Sequence, residues 1–110
     1  MKVLIADDHR LMVAGIRRAL EDEEIEVVGE ATTGAQVLPL VGRTDPDVVL
    51  LDVRMPQMDG FTALEQLRVR YPRVKVVMLS VFADPEHIQM ALSRGASGYI
   101  VKTINPRDLP

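Results

Sequence analysis

With 110 residues the chain has room for one domain, and a domain of this length buries about two thirds of its unfolded surface without covalent staples. The lack of cysteine excludes disulfides, thiolate metal sites and cysteine nucleophiles, and 47% apolar beside 26% charged residues excludes a disordered chain. A net charge of −3 disfavours the chain itself as a nucleic-acid binder, which needs a basic excess against phosphates.

In chain order, Val3–Ala6 is a short apolar run that predicts a buried strand. Charge flanks it so closely that no signal-peptide core fits, and no apolar run exceeds Val48–Leu51 in length, far too short to span a bilayer. The expected location is therefore the cytoplasm. Arg10–Leu20 predicts a helix, with Leu11, Met12, Ile16, Ala19 and Leu20 near helical spacing. Ile25–Ala31 begins by alternating Glu24, Ile25, Glu26, Val27, as an edge strand with one wet face does. Thr33–Val41 is a weaker helical pattern, and Asp45-Pro46-Asp47 is a turn. Val48–Leu51 predicts a second continuous apolar strand. Gly60–Tyr71 predicts a helix with Phe61, Leu64 and Leu67 on one face, stopped by Pro72. Val74–Leu79 predicts another strand. Pro85–Arg94 predicts a helix closed by Gly95 at the left-handed position, and Tyr99–Val101 the last strand.

Strands that alternate with helices need crossovers, so the expected architecture is a parallel sheet with helices on both faces. Asn105-Pro106-Arg107-Asp108 reads as the start of a fifth helix: an N-cap, a proline at the first position, an acid in the first turn. Only two residues follow, so the chain is expected to belong to a longer one.

In parallel sheets of this kind ligands bind beyond the carboxyl ends of the strands. Asp7-Asp8, Asp52, Ser80 and Lys102 stand at those ends. Two carboxylates at about 4 Å repel by roughly 4 kcal/mol at an effective dielectric of 20. Either one acid stays protonated or a cation sits among them. Clustered carboxylates with no cysteine and no suitably placed histidine suit a hard divalent ion, with Mg²⁺ the leading candidate. A nearby lysine adds positive charge for a phosphate, and an aspartate in such a site can itself be the nucleophile. Gly-rich phosphate loops are missing; acids stand where the glycines would be needed.

These residues carry a resemblance. Val3-Leu4-Ile5-Ala6-Asp7-Asp8-His9, the segment Val48 to Gly60, Val77-Met78-Leu79-Ser80, and the segment Gly95 to Lys102 resemble a response-regulator receiver domain of two-component signalling. The Asp-Asp-His opening and Gly95-Ala96-Ser97-Gly98-Tyr99 are most similar to the NarL/FixJ subclass, in which a LuxR-type helix-turn-helix domain follows the receiver. The resemblance implies a flavodoxin-like, doubly wound five-stranded parallel sheet of order 2-1-3-4-5, with the last helix truncated and any DNA-binding domain missing from residues 1–110. It implies Asp52 as phosphoacceptor and Asp8 as a direct Mg²⁺ ligand. Asp7 would act mainly through water, and the Arg54 backbone carbonyl would complete the protein ligands. Lys102 would contact the phosphoryl group, Ser80 would be the switch hydroxyl, and Tyr99 the aromatic that changes rotamer with it. Met55-Pro56 would shape the loop after Asp52, and Gly60 would permit its close turn. The implied partners are a sensor histidine kinase, and DNA only through the missing domain. A homodimer would form on phosphorylation or through the truncated end. The chain would be no general enzyme, only a phosphoacceptor that catalyses its own phosphotransfer and dephosphorylation. Thr103 departs from the proline that follows the lysine in many receivers, where the bond is cis; a non-proline cis bond costs about 2.5–4 kcal/mol.

Plainer readings stand beside these. Asp7 and Asp8 could cap the first helix, Ser80 the next segment, and Tyr99 could be packing. Lys102 alone could be solvated. Neither His9 nor His87 has a partner spacing that suggests a metal site; His87 reads as a solvated helix position, and His9 as a pocket neighbour without an assigned role. An aspartyl-nucleophile phosphohydrolase wants an acid two positions after Asp52, where Arg54 stands. A phosphorylation-independent interaction module would bind Mg²⁺ weakly or not at all.

Overall fold

A computed structural model describes residues 1–21, 24–55, 57–81 and 84–102. Nine elements alternate: β1 (Lys2–Ala6), α1 (Arg10–Leu20), β2 (Glu26–Ala31), α2 (Gly34–Thr44), β3 (Val48–Asp52), α3 (Gly60–Arg70), β4 (Lys75–Ser80), α4 (Pro85–Ser93) and β5 (Gly98–Val101). All strand pairs are parallel, in the order β2-β1-β3-β4-β5. The expected fold class is thus the observed one. The expected fifth helix and the Lys102–Thr103 bond lie outside the described residues, as does Pro56.

The period-two pattern of each strand divides the core. Leu4, Ala6, Val49, Leu51, Val76 and Met78 face one side and bury Val37 and Val41 of α2, Leu64 and Leu67 of α3, and Ala91 of α4. Val3 and Ile5 face the other side with Val13 of α1. There Val48 and Leu50 stay half-buried. Each large apolar side chain fully buried in the larger cluster contributes roughly 1.5–3 kcal/mol. No helix among the described residues is long and apolar enough to cross a membrane.

Element ends differ from the sequence reading in instructive places. β2 carries one more residue than β1 between paired positions: Val3 pairs with Val27 but Leu4 with Gly29. This bulge breaks the alternation that Glu24–Val27 begins. α2 runs three residues past Val41 in spite of Pro39 inside it. Pro39 forgoes one amide donor, yet Val37, Leu38 and Val41 are buried, and tertiary packing outweighs that lost bond. Asp45 then ends the helix in a left-handed conformation (φ 49°), its amide donating to the Val41 carbonyl.

α4 ends as its glycine predicts. Gly95 has φ 104°, its amide donates to the Leu92 carbonyl, and the Ala96 amide donates to that of Ala91. A methyl group here would also press on the Arg68 side chain. Gly95→Ala is expected to cost roughly 1 kcal/mol, read as a lower urea midpoint at unchanged slope.

Candidate functional site

Three strand ends meet at one rim because neighbouring parallel strands run in step. β1 pairs with β3 from Val3–Val48 to Ala6–Leu51, so Asp7, the next residue, stands beside Asp52 at the end of β3. β4 pairs with β5 from Val77–Gly98 to Ser80–Val101, and the next residue is Lys102. The Asp7 amide donates to the Ala31 carbonyl and the Lys102 amide to the Ser80 carbonyl, which carries the ladder one residue past each strand.

The result is a buried ion triad. The Lys102 side chain is 4% exposed; its Nζ lies 2.6 Å from Asp7 Oδ2 and 2.9 Å from Asp52 Oδ2. Asp7 and Asp52 are 0% and 5% exposed. The repulsion that the sequence reading assigned to a divalent ion is thus already reduced by a cation of the chain itself. Burial pushes both carboxyls up. At Asp7 the hydrogen bonds from Lys102 and His9 outweigh burial and hold the group below the ordinary carboxylate range. At Asp52 burial prevails, helped by the charge of Asp7, against the hydrogen bonds from Lys102 and the Arg54 amide; its carboxyl lies above that range.

The loop after Asp52 is closed tightly. The Arg54 amide donates to Asp52 Oδ1 at 3.2 Å, and the Gly60 amide donates to the Val53 carbonyl at 2.8 Å. A Cβ at Gly60 would collide with the Asp52 carbonyl and with Val53 Cα, so a hydrogen there lets α3 start against β3. Gln57 takes a left-handed φ of 72° in this loop, and Met55 is buried in the main core. Asp59 caps α3 by accepting from the Thr62 amide.

Ser80 is buried at the end of β4, beside Lys102 through the backbone bond above. Tyr99 is half-buried on β5, opposite Met78, and packs on the main core. Asp8 is exposed, with its side chain at 37%. Asp7, Asp8 and Asp52 are brought together: with His9 they offer four ligand atoms within 4.8 Å of one another. The carboxylates among them match the hard oxygen donors that Mg²⁺ takes.

Two histidines are better placed than sequence reasoning allowed. His9 stands over the acids, its Nδ1 2.9 Å from Asp7 Oδ1, 3.3 Å from Asp8 Oδ1 and 3.6 Å from Asp52 Oδ2. Its position directly after Asp-Asp at a strand end was the available signal. His87 is not merely solvated: its Nδ1 lies 2.6 Å from Oδ2 of Asp84, the N-cap of α4, and this bond holds the Asp84 carboxyl below its usual range.

Comparison with known proteins agrees with this fold. The response regulator receiver domain family matches residues 3–110. The chain is 40% identical over 110 residues to the transcriptional regulatory protein YhcZ of Bacillus subtilis, covering 99% of the chain and 51% of that protein. It is 39% identical over 108 residues to the nitrate/nitrite response regulator NarL of Escherichia coli, covering 97% and 50%. The isolated receiver domain of RcsB from Salmonella enterica superposes with a TM-score of 0.89 at 31% identity, over all of this chain and 83% of that one. The chain spans about half the length of the curated relatives it matches. It belongs to the response regulator receiver domain family.

Proposed function

We propose that this domain is a phosphorylation switch: Asp52 accepts a phosphoryl group from the phosphohistidine of a sensor histidine kinase, with Mg²⁺ as cofactor. The placement of Lys102 Nζ between Asp7 and Asp52 carries the reading, because it sets a fixed positive charge where phosphoryl oxygens would arrive. An Asp52 oxygen attacks phosphorus as the phosphorus–nitrogen bond breaks, and the leaving imidazole retains the electron pair and takes up a proton. Lys102 is an ammonium with three donors, two of which reach Asp7 and Asp52, so it can follow the charge as it moves onto the phosphoryl oxygens. Mg²⁺, held by Asp8, Asp52 and the Arg54 carbonyl, with Asp7 behind, would supply charge neutralisation for the transferring oxygens.

The new oxygens then draw in the Ser80 hydroxyl, and Tyr99 fills the space released. The α4–β5 face changes shape by a shift in a pre-existing equilibrium. The chain serves no further substrate; it catalyses only its own phosphorylation and dephosphorylation. The output is transcriptional, through a LuxR-type DNA-binding domain beyond residues 1–110 and a phosphorylation-dependent homodimer. The similar RcsB receiver was solved with the phosphomimetic BeF3⁻, which is in keeping with this reading.

The test is intact mass after incubation with a small acyl-phosphate donor and Mg²⁺. A phosphate-sized gain that needs both Mg²⁺ and Asp52 is expected. No gain, or one that survives Asp52→Asn, removes the reading. Multiple turnover of simple phosphoesters would instead point to a phosphohydrolase.

A further inference from the structure

We infer that His9 is a metal ligand of this site, and that it turns an all-oxygen Mg²⁺ site into a mixed nitrogen–oxygen site favouring first-row transition ions such as Mn²⁺. The inference rests on the phosphoacceptor reading above and names a further specificity-determining residue within it.

The geometry is specific. His9 Nδ1 lies 2.9, 3.3 and 3.6 Å from one oxygen each of Asp7, Asp8 and Asp52. Adjacent ligand atoms of an octahedral ion with bonds near 2.1 Å stand about 3.0 Å apart. The ring nitrogen therefore stands from each of the three oxygens at nearly the spacing that shared coordination requires, and all four atoms lie within 4.8 Å of one another. The backbone is fixed by the His9 amide, which donates to Asp7 Oδ1 at 2.9 Å, and the ring by a hydrogen bond between Nδ1 and that same oxygen, also at 2.9 Å, which a bound ion would replace. His9 is also the N-cap residue of α1 and makes no side-chain cap bond, so its ring has no helix-capping duty. At 64% exposure an ion can reach it from solvent. Lys102 binds the far oxygen of Asp7, Oδ2, and leaves Oδ1 to the His9 side, whereas Asp52 Oδ2 faces both Lys102 and the ring.

Donor chemistry then sets the preference. Carboxylate, carbonyl and water oxygens suit Mg²⁺ and Mn²⁺ alike, whereas imidazole nitrogen suits first-row transition ions and adds little for Mg²⁺. A site with this ring should hold Mn²⁺ more tightly relative to Mg²⁺ than the same acids do alone.

The experiment uses the chain loaded with Mn²⁺ alone and with Mg²⁺ alone. Pulsed electron paramagnetic resonance reads directly bonded nitrogen on Mn²⁺, and calorimetric titration gives both dissociation constants. The expected result is a nitrogen coupling in the wild type that disappears in His9→Ala and His9→Asn. The same variants should lose Mn²⁺ affinity roughly tenfold while Mg²⁺ affinity changes by less than about threefold. If both ions bind the wild type but nitrogen coupling is missing, or the Mn²⁺-to-Mg²⁺ ratio is the same in His9→Ala, the inference is overturned and the phosphoacceptor reading stands. If neither ion binds, or binding is indifferent to Asp8→Asn and Asp52→Asn, both fall.

Discussion

Lys102→Met is expected to destabilise the metal-free protein by about 3–5 kcal/mol, which for a domain of this size is a drop of well over 10 °C in melting temperature. The substitution keeps the length of the apolar stem and removes only the charge. What remains is Asp7 and Asp52, both buried, with the ammonium that each touches gone. One acid must then take up a proton or the rim must open to water. Adding Asp52→Asn to Lys102→Met should restore much of the loss, because a single buried carboxylate no longer faces another. The two substitutions share a partner and will not add; a coupling of about 1–3 kcal/mol is expected from urea unfolding of the four proteins in chelator. A loss below about 1 kcal/mol for Lys102→Met would mean that water screens the triad far better than its burial implies.

Asp52→Asn is expected to abolish acceptance of a phosphoryl group and yet stabilise the metal-free protein at neutral pH by about 1–2 kcal/mol. The folded carboxyl of Asp52 lies above its ordinary value, from burial and from the charge of Asp7. A raised value means the fold favours the protonated form. The stability from that preference is fully present below the ordinary carboxylate range and is lost as pH rises through the raised value. Asparagine mimics the protonated acid at every pH, so the gain should shrink to nothing as pH falls and Asp52 itself protonates. Asp7 has the opposite sign: its folded value is depressed, so its stabilisation is present at neutral pH and is lost as pH falls through that value. Unfolding midpoints of wild type and Asp52→Asn followed from neutral to acidic pH test both signs. Mg²⁺ should raise the wild-type midpoint by mass action and raise that of Asp52→Asn less. An Asp52→Asn protein less stable than the wild type at neutral pH would show that the carboxylate is well satisfied as an ion.

Strand and helix identity was legible locally. Continuous apolar runs such as Val48–Leu51 mark strands with apolar side chains on both faces, and Pro72 and Gly95 mark helix ends by their backbone chemistry. The extent of α2 past Pro39 was not legible, because burial of Val37, Leu38 and Val41 outweighs a local helix breaker. Nor was the bulge at Gly29, which depends on a neighbouring strand. Residue types at the site were readable, since acids at strand ends have little structural use in a buried sheet. The consequence of packing them together was read only in part. Repulsion was foreseen, but Lys102 as the cation between Asp7 and Asp52 is a contact across ninety-five positions of chain for one pair and fifty for the other.

The sequence by itself determined the alternation of strands and helices, the parallel sheet it demands, and the set of ionisable groups at the strand ends, because periodicity, turn chemistry and charge are properties of neighbouring residues. Only the tertiary structure decided which charges touch, that the acids are unequal in proton affinity, and that the ring of His9 lies against three carboxylates. Those facts depend on register between strands far apart in the chain and on burial, and the free energy of a charge depends on what surrounds it in space.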